Sequence, residues 1–524
     1  MSGFNVGLNG RQVVFDGSAL NAYKSDNVIN LGQFPLIDPE IDDTARIQRA
    51  LDSLDASGGT LYIPQGIFTT SSYLSIPSNV TLKGRGASSV IRIQTNVIAG
   101  LQGKDWVTVQ PRENIIIQKL KIKYDTPLTI LQGDEQSGAT KGHAIRFRNS
   151  TNVIIDKVYI ENSPISSVDF SGCNDIQVKN SYGITSGQGF VTATNTRGIS
   201  IIGNIIRPKS SEVGYEYTSI YGIQRTGVDV GEFSYDAVIS GNVIYDCYYG
   251  IYIRDDSDRI SITGNTIKNC TDGISVLTET LGVYSVKQLI ISGNLVEDAS
   301  RTGIDLRKIM RGVVSNNIVR NAGNNGIWIL SYNEDLTISG NNVSYCGYHG
   351  INNANVNNIR TLISGNTCYH NGVSGVGYSG IYNRGDTRIL GNVCHDDSSG
   401  QTQDYGITTE QLTPTIDGNV CYQNKVTQIN VIAGGARGIN QEGTLTKPIY
   451  NIDMNGKDLL NVHRIQIGTI GRSVYYMDAA PTTGTYIRGD IVFNINPTTG
   501  GFIGWSCVTG GTPGTWKTFG VISA

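Results

Sequence analysis

A phrase made of an apolar or small residue, Gly, Asn and one or two apolar residues returns eight times in the middle of this chain. Its copies are Gly203-Asn204, Gly241-Asn242, Gly264-Asn265, Gly293-Asn294, Gly340-Asn341, Gly365-Asn366, Gly391-Asn392 and Gly418-Asn419. Ser315-Asn316-Asn317 is a degenerate copy. Self-similarity at a period in the twenties to thirties is the signature of a solenoid, in which each repeat buries its apolar face on the next. A second phrase, a small residue with Gly-Ile, recurs in the same phase at Gly250, Gly273, Gly303, Gly326, Gly350, Gly380 and Gly406. Each period therefore holds two or three short strands with alternating side chains, separated by Gly/Asn turns. Such strands pair with their own copies above and below, giving a parallel β-helix with about 4.8 Å between rungs. Asn suits the turn, and Asn on Asn in successive coils predicts an internal amide ladder.

The cysteines agree with this phase. Cys247, Cys270 and Cys346 each follow the repeat Asn by five residues, and Cys368, Cys394 and Cys421 by two. Two columns and no CxxC pair predict buried structural thiols. Net charge is −3, from 41 basic and 44 acidic residues, which argues against a nucleic-acid partner. No run of eighteen apolar residues is present, so membrane insertion is not expected. The first residues lack a charged segment followed by an apolar run.

Asp42–Leu54 has Ile47, Leu51 and Leu54 on one helical face, with Asp42 and Asp43 at its N-terminal end. This segment, the following GGTLYIPQGIFTT and then NVTLKGRG resemble the opening of the pectate-lyase-like right-handed β-helix proteins. The resemblance implies an all-β, right-handed, single-stranded parallel β-helix with a short capping helix at 42–54. A cap is also what an open first coil requires. Pro448–Gly468 (PIYNIDMNGKDLLNVHRIQIG) resembles the intertwined segments of trimeric phage tail fibres and tailspikes. The expected organisation is an arm or linker at 1–40, the β-helix at 41–440, a trimerisation segment at 441–470 and a small β-domain at 471–524. Trp505 and Trp516 in the last part read as core. The interruption at Arg207–Gly227, which carries Glu212 and Glu216, reads as an inserted loop on the binding face.

Aligning the Gly-Ile phrases predicts an outward column at Arg146, Asp169, Val191, Asp229, Tyr252, Ser275, Asp305, Trp328, Asn352, Tyr382 and Thr408. A neighbouring column collects Arg148, Ser171, Ala193, Gly231, Arg254, Leu277, Arg307, Leu330, Ala354, Arg384 and Glu410. Carboxylates, guanidinia and aromatics in stripes suit a polysaccharide: aromatic faces pack on rings and Arg forks onto acidic groups. The candidate catalytic residues are Asp229, Asp305, Asp169 and Glu232. The candidate substrate contacts are Tyr252, Arg254, Arg307 and Trp328. No metal and no cofactor is expected. His349, His370 and His395 lack ligand spacing along the chain and read as surface residues, and Asp255–Arg259 is a poor match to a calcium loop.

Asp169 and Asp229 fall two rungs apart, about 9.6 Å, at the outer limit of the spacing for inverting glycoside hydrolysis. Asp305 lies three rungs from Asp229, too far to pair with it, and Glu232 is a closer partner if the chain bends. The resemblance permits a lyase, a hydrolase or an esterase. The calcium-binding Asp constellation of pectate lyases has no match here, which favours hydrolysis. The resemblance thus implies a homotrimeric phage tailspike that depolymerises a bacterial surface polysaccharide, carried on a virion tail and acting at the host surface. A secreted polysaccharide lyase or epimerase, or a non-catalytic receptor-binding spike, are the other readings.

Overall fold

The computed structural model describes residues 7–8, 11–12, 27–94, 99–104, 110–125, 142–163, 165–184, 189–207, 226–277, 286–411, 415–432, 440–442, 449–451, 464–467 and 472–523. Most of the interruption at Arg207–Gly227, including Glu212 and Glu216, and most of the expected trimerisation segment lie outside these residues. The chain divides into two units, 1–452 and 453–524.

The first unit is the expected right-handed parallel β-helix, built of three long parallel sheets with very little helix. Among the described residues the first sheet has 15 strands, the second 16 and the third 14. One coil shows the pattern: Tyr235–Ser240 lies in the first sheet, Val243–Tyr245 in the second and Tyr249–Arg254 in the third. The Gly-Asn phrase makes the corner between the first and second sheets. Its glycines adopt φ of 63 to 66°, a left-handed backbone that a side chain would strain. The degenerate copy obeys the same geometry, with Asn316 at φ 55° standing where Gly stands elsewhere.

The Asn that follows points inward. Asn204, Asn242, Asn265, Asn294, Asn317, Asn341, Asn366, Asn392 and Asn419 each donate or accept along one ladder, Nδ2 to Oδ1 at 2.9 Å. Each of these Oδ1 atoms also accepts from the backbone N–H of the Asn one coil below, as Asn317 Oδ1 does from Asn294 N at 2.9 Å. The ladder thereby satisfies corner amides that the interior would otherwise leave without partners. Ile, Val and Leu fill the rest of the core. All eight cysteines are free and buried, and Cys368, Cys394 and Cys421 are direct neighbours in register.

The capping helix α1 (Thr44–Asp52) is shorter than expected by two residues at each end and buries Ile47, Ala50 and Leu51. Asp43 precedes it and pairs with Arg46 at 2.9 Å. The second unit contains a five-stranded sheet running in sequence order from Arg464–Ile467 to Thr515–Val521. Trp516 packs edge-on against Tyr486 and donates to the Pro513 carbonyl. No helix among the described residues is long and apolar enough to cross a membrane.

Candidate functional site

The third sheet differs from the other two. In the first, alternate residues are buried and partly exposed, as in Asp258–Thr263. In the third, strands such as Thr226–Gly231 and Asp272–Leu277 are buried at every position, outward side chains included. Its outer face is therefore an enclosed wall between Asp229 and Asp305, and partly open at Asp169 and Trp328 on either side. The side chains there are not solvated strand residues: Asp229 is 6% and Asp305 1% exposed.

The register gives the column Arg146, Asp169, Thr192, Asp229, Tyr252, Ser275, Asp305, Trp328, Asn352, Tyr382, Thr408. This corrects one expected member. Thr192, not Val191, stands between Asp169 and Asp229, and Val191 points into the core. The cause is a swap of sizes across a corner. Phe190 occupies the place that Gly227 holds one coil on, and it fits because Gly183 replaces the Ile206 of the second sheet. A Cβ on Gly183 would lie 2.1 Å from the Phe190 ring. The flanking column shifts likewise: Thr194, not Ala193, neighbours Gly231, and a register slip after Leu306 pairs Arg307 with Ser331, not Leu330.

Asp169 to Asp229 is two rungs and Asp229 to Asp305 three, as the periodicity predicts. Asp229 accepts from Arg254 Nε at 3.0 Å and Nη2 at 3.3 Å. Burial works against the Arg254 charge, but Asp229 beside it more than offsets this and holds the guanidinium well above its usual range. Gly231 makes the geometry possible: a Cβ there would sit 3.0 Å from Arg254 Nε. Glu232, with a side chain 56% exposed, approaches the same guanidinium at 3.5 Å from the rim. The bend that brings it there is a left-handed pair, Glu232 and Phe233 at φ 51 and 62°. Arg254 thus pairs with Asp229 and Glu232 rather than with its chain neighbour Asp255.

Asp169 lies between Arg146 and Thr192 on the wall. Enclosure of its carboxyl pushes it up to about 7; Arg146 opposes that and Asp229 reinforces it. Arg146 itself is held to Gln102 by bonds of 3.1 and 2.7 Å. Asp305 is also pushed up to about 7, by burial first, with Arg307 pulling down and Asp272 pushing up. Its Oδ1 has no hydrogen-bond partner, and neither do Arg307 Nε and Trp328 Nε1. The nearest charge contact, Arg307 to Asp305 Oδ2, is 4.0 Å. Three buried polar atoms without hydrogen-bond partners therefore lie on adjoining rungs of this wall. Trp328 is half-buried in this wall.

Tyr252 stacks on Tyr249 at 4.3 Å, and Tyr248 and Leu277 complete an apolar patch between the two acidic regions. Sequence reasoning missed Tyr249 and the pair Asp272–Arg301. Asp272 is fully buried and accepts from Arg301 Nε at 2.8 Å, Thr302 N at 3.1 Å and Ser275 Oγ at 3.3 Å. Tyr249 and Asp272 stand one rung apart in a column three residues ahead of the predicted one. Their place just before the Gly-Ile phrase was the available signal.

The histidines are not plain surface residues either. His349 is half-buried, stacked on Tyr382 at 4.7 Å, and accepts from Ser379 N at 3.0 Å. His370 and His395 come together with Asp397 at the far end of the second sheet.

Residues 36–275 match the family model described as rhamnogalacturonase A/epimerase, pectate lyase-like. Residues 216–373 match that described as periplasmic copper-binding protein (NosD). Pectate lyase E of Dickeya chrysanthemi is 26% identical over 181 residues, 34% of this chain and 44% of that protein, so the chain spans under half the length of that relative. Among solved structures, the N-terminal fragment of bacteriophage Phi29 gene product 12 superposes with a TM-score of 0.62 at 16% identity. The match covers 77% of this chain and 72% of that one. A mutant tailspike protein of E. coli bacteriophage HK620, in complex with a pentasaccharide, gives 0.51 at 12% identity and covers 82% of each chain. These likenesses agree in fold with the resemblance of Asp42–Thr70 and the segment after it to pectate-lyase-like right-handed β-helix proteins.

Proposed function

We propose that this chain is a phage tailspike that binds a bacterial surface polysaccharide along the outer wall of its third sheet and cleaves it by glycoside hydrolysis. The observation that carries the reading is the pairing of two unlike carboxyls on one enclosed column. Asp169 is pushed up to about 7 and still holds its proton near neutrality, whereas Asp229 is bound in bidentate fashion by Arg254, which favours its charged form. Carboxyls in environments as unlike as these divide acid and base roles. Asp169 protonates the departing glycosidic oxygen, and Asp229 takes a proton from the attacking water. Their two-rung spacing, about 9.6 Å along the wall, leaves room for that water and matches inversion rather than retention.

Further along the wall, the neutral form of Asp305, the Arg307 guanidinium and the Trp328 indole N–H offer hydrogen bonds to sugar hydroxyls or carboxylates. Tyr252 and Tyr249 supply ring faces between the two regions. Glu232 at the rim is the alternative base through its share of Arg254. The fold's company supports the substrate class: the HK620 tailspike was solved with a pentasaccharide. Trimer formation is supported by apolar residues left exposed on the second sheet, where Ile205 and Ile318 share one outward column.

A lyase acting on uronate sugars is the second reading, favoured by Arg146, Arg254 and Arg307 along the same wall. Mass spectrometry of products from candidate capsular polysaccharides separates the two. Hydrolysis adds water at each cut, and elimination leaves the new unsaturated non-reducing end 18 daltons lighter than hydrolysis would. Asp169→Asn and Asp229→Asn abolish cleavage under this proposal; full activity in both variants overturns it.

A further inference from the structure

His395 and Asp397 lie two residues apart in one coil, and the stacking of the coils brings His370 of the preceding coil beside them. His395 ends the strand Val393–His395 of the second sheet, in register with Tyr369 below and Tyr422 above. Its ring is sandwiched between theirs, at 5.3 and 4.8 Å and within 4° of parallel. His370 follows Tyr369 at φ 54°, in the left-handed column that Asn269, Asp298 and Asn321 hold in earlier coils. Those residues make amide–carboxylate bonds up the column, such as Asn321 Nδ2 to Asp298 Oδ1 at 3.0 Å. His370 sends its imidazole to Asp397 instead, Nε2 to Oδ1 at 2.7 Å.

We propose that His370 Nε2, His395 Nδ1 and the Asp397 carboxylate form a binding site for a divalent transition-metal ion of the zinc class. The three atoms lie within 4.8 Å of one another. Metal–ligand bonds of about 2.0–2.1 Å in a tetrahedral site require ligand atoms about 3.3 Å apart. His370 Nε2 to Asp397 Oδ1 is 2.7 Å and His395 Nδ1 to the same oxygen is 3.4 Å, so small side-chain shifts suffice. His395 Nδ1 is buried and faces that oxygen without a well-formed hydrogen bond to it or to any other group.

Two imidazoles and one carboxylate are the donor set for zinc or a similar first-row ion rather than for calcium or magnesium. Asp397, half exposed, leaves the fourth position open to water. Behind it, Asp396 is not a ligand. Its oxygens accept from Ser398 N at 3.1 Å, Thr402 N at 2.5 Å and Gln403 N at 2.7 Å, and this fixes the loop that carries Asp397. The ion would thus clip two successive coils to that loop, on the second sheet rather than on the wall proposed for the polysaccharide.

The test uses the full chain after chelator treatment, titrated with Zn²⁺ by calorimetry. One ion per chain is expected, with unfolding temperature rising as Zn²⁺ exceeds the dissociation constant. His370→Asn keeps a residue suited to the left-handed backbone, and His395→Phe keeps the ring stack, so both variants retain the fold while each removes one ligand. Each should weaken binding at least ~10-fold and abolish the zinc-dependent rise in unfolding temperature, with far-UV circular dichroism unchanged. Binding left intact in both variants, or no saturable binding by the parent chain, overturns the proposal.

Discussion

Replacing Asp305 by Asn should make the protein more stable at alkaline pH and no more stable in acid. The carboxyl is buried and pushed from an ordinary 3.8 up to about 7, chiefly by burial. Between those two values the folded protein holds a proton on Asp305 that the unfolded chain has already released. The folded state binds more protons there, so its stability falls as pH rises, and the loss is complete above about pH 7. Each pH unit corresponds to about 1.4 kcal/mol, and the gap between 3.8 and 7 amounts to about 4 kcal/mol. Asn has nearly the same shape and never ionises. Its advantage over Asp should be near zero at pH 4, grow through pH 5 to 7, and level at up to about 4 kcal/mol at pH 8. For a chain of this size that is no more than about 2 °C in unfolding temperature per kcal/mol. Calorimetric unfolding of both proteins at pH 4, 6 and 8 reads the difference, and the slope that Asp169 contributes cancels in the comparison. A difference that is the same at all three pH values would refute the argument, because it would mean that Asp305 ionises in the folded state as readily as in the unfolded one. The strain is consistent with a residue kept for binding: an acid that costs stability sits beside Arg307 Nε and Trp328 Nε1, which also lack hydrogen-bond partners.

Other outcomes follow from the same geometry. Asn294→Ala removes the donor to Ile262 O and the acceptor for Asn265 N, leaving two buried backbone groups without partners at about 1–3 kcal/mol each. Urea unfolding should show a loss of about 2–6 kcal/mol, whereas Asn321→Ala on the solvent side of the second sheet should cost under ~1 kcal/mol. Arg254→Met strips Asp229 of its two charge-assisted bonds, so cleavage should fall by about 100-fold or more, read as reducing-end release; an unchanged rate would remove Asp229 from the mechanism. Gly231→Val displaces Arg254, whose Nε would lie 3.0 Å from the new Cβ, and should lower kcat while leaving the far-UV circular dichroism unchanged. Trp328→Ala should raise KM several-fold with little change in kcat if the indole contacts substrate away from the bond that breaks.

The Asn column shows how much of this molecule could be read in advance. Nine residues at one phase, Asn317 of the degenerate copy included, were enough to fix the corner, the coil and the interior amide ladder, because a buried polar side chain in a repeat has no partner except its own copy. The rung counts between Asp169, Asp229 and Asp305 followed from the same periodicity. Thr192 did not, because Phe190 and Gly183 exchanged large and small residues between sheets, and the phrase used for alignment lost its glycine there. Arg307 kept its place, but a bulge after Leu306 shifted its neighbour. The Asp272–Arg301 pair and the place of His370 beside His395 and Asp397 left no spacing along the chain, since they meet only across coils separated by insertions of varying length.

Local chemistry and repetition thus determined the coil, its parallel pairing and which side chains face out, because strand alternation and turn preference act over a few residues. Only the folded solenoid decided that one wall of three is enclosed. It also decided which carboxyl meets Arg254, which acids keep their protons near neutrality, and which imidazoles share an aspartate. Those properties depend on burial and on distances across coils, and neither is a function of position along the chain.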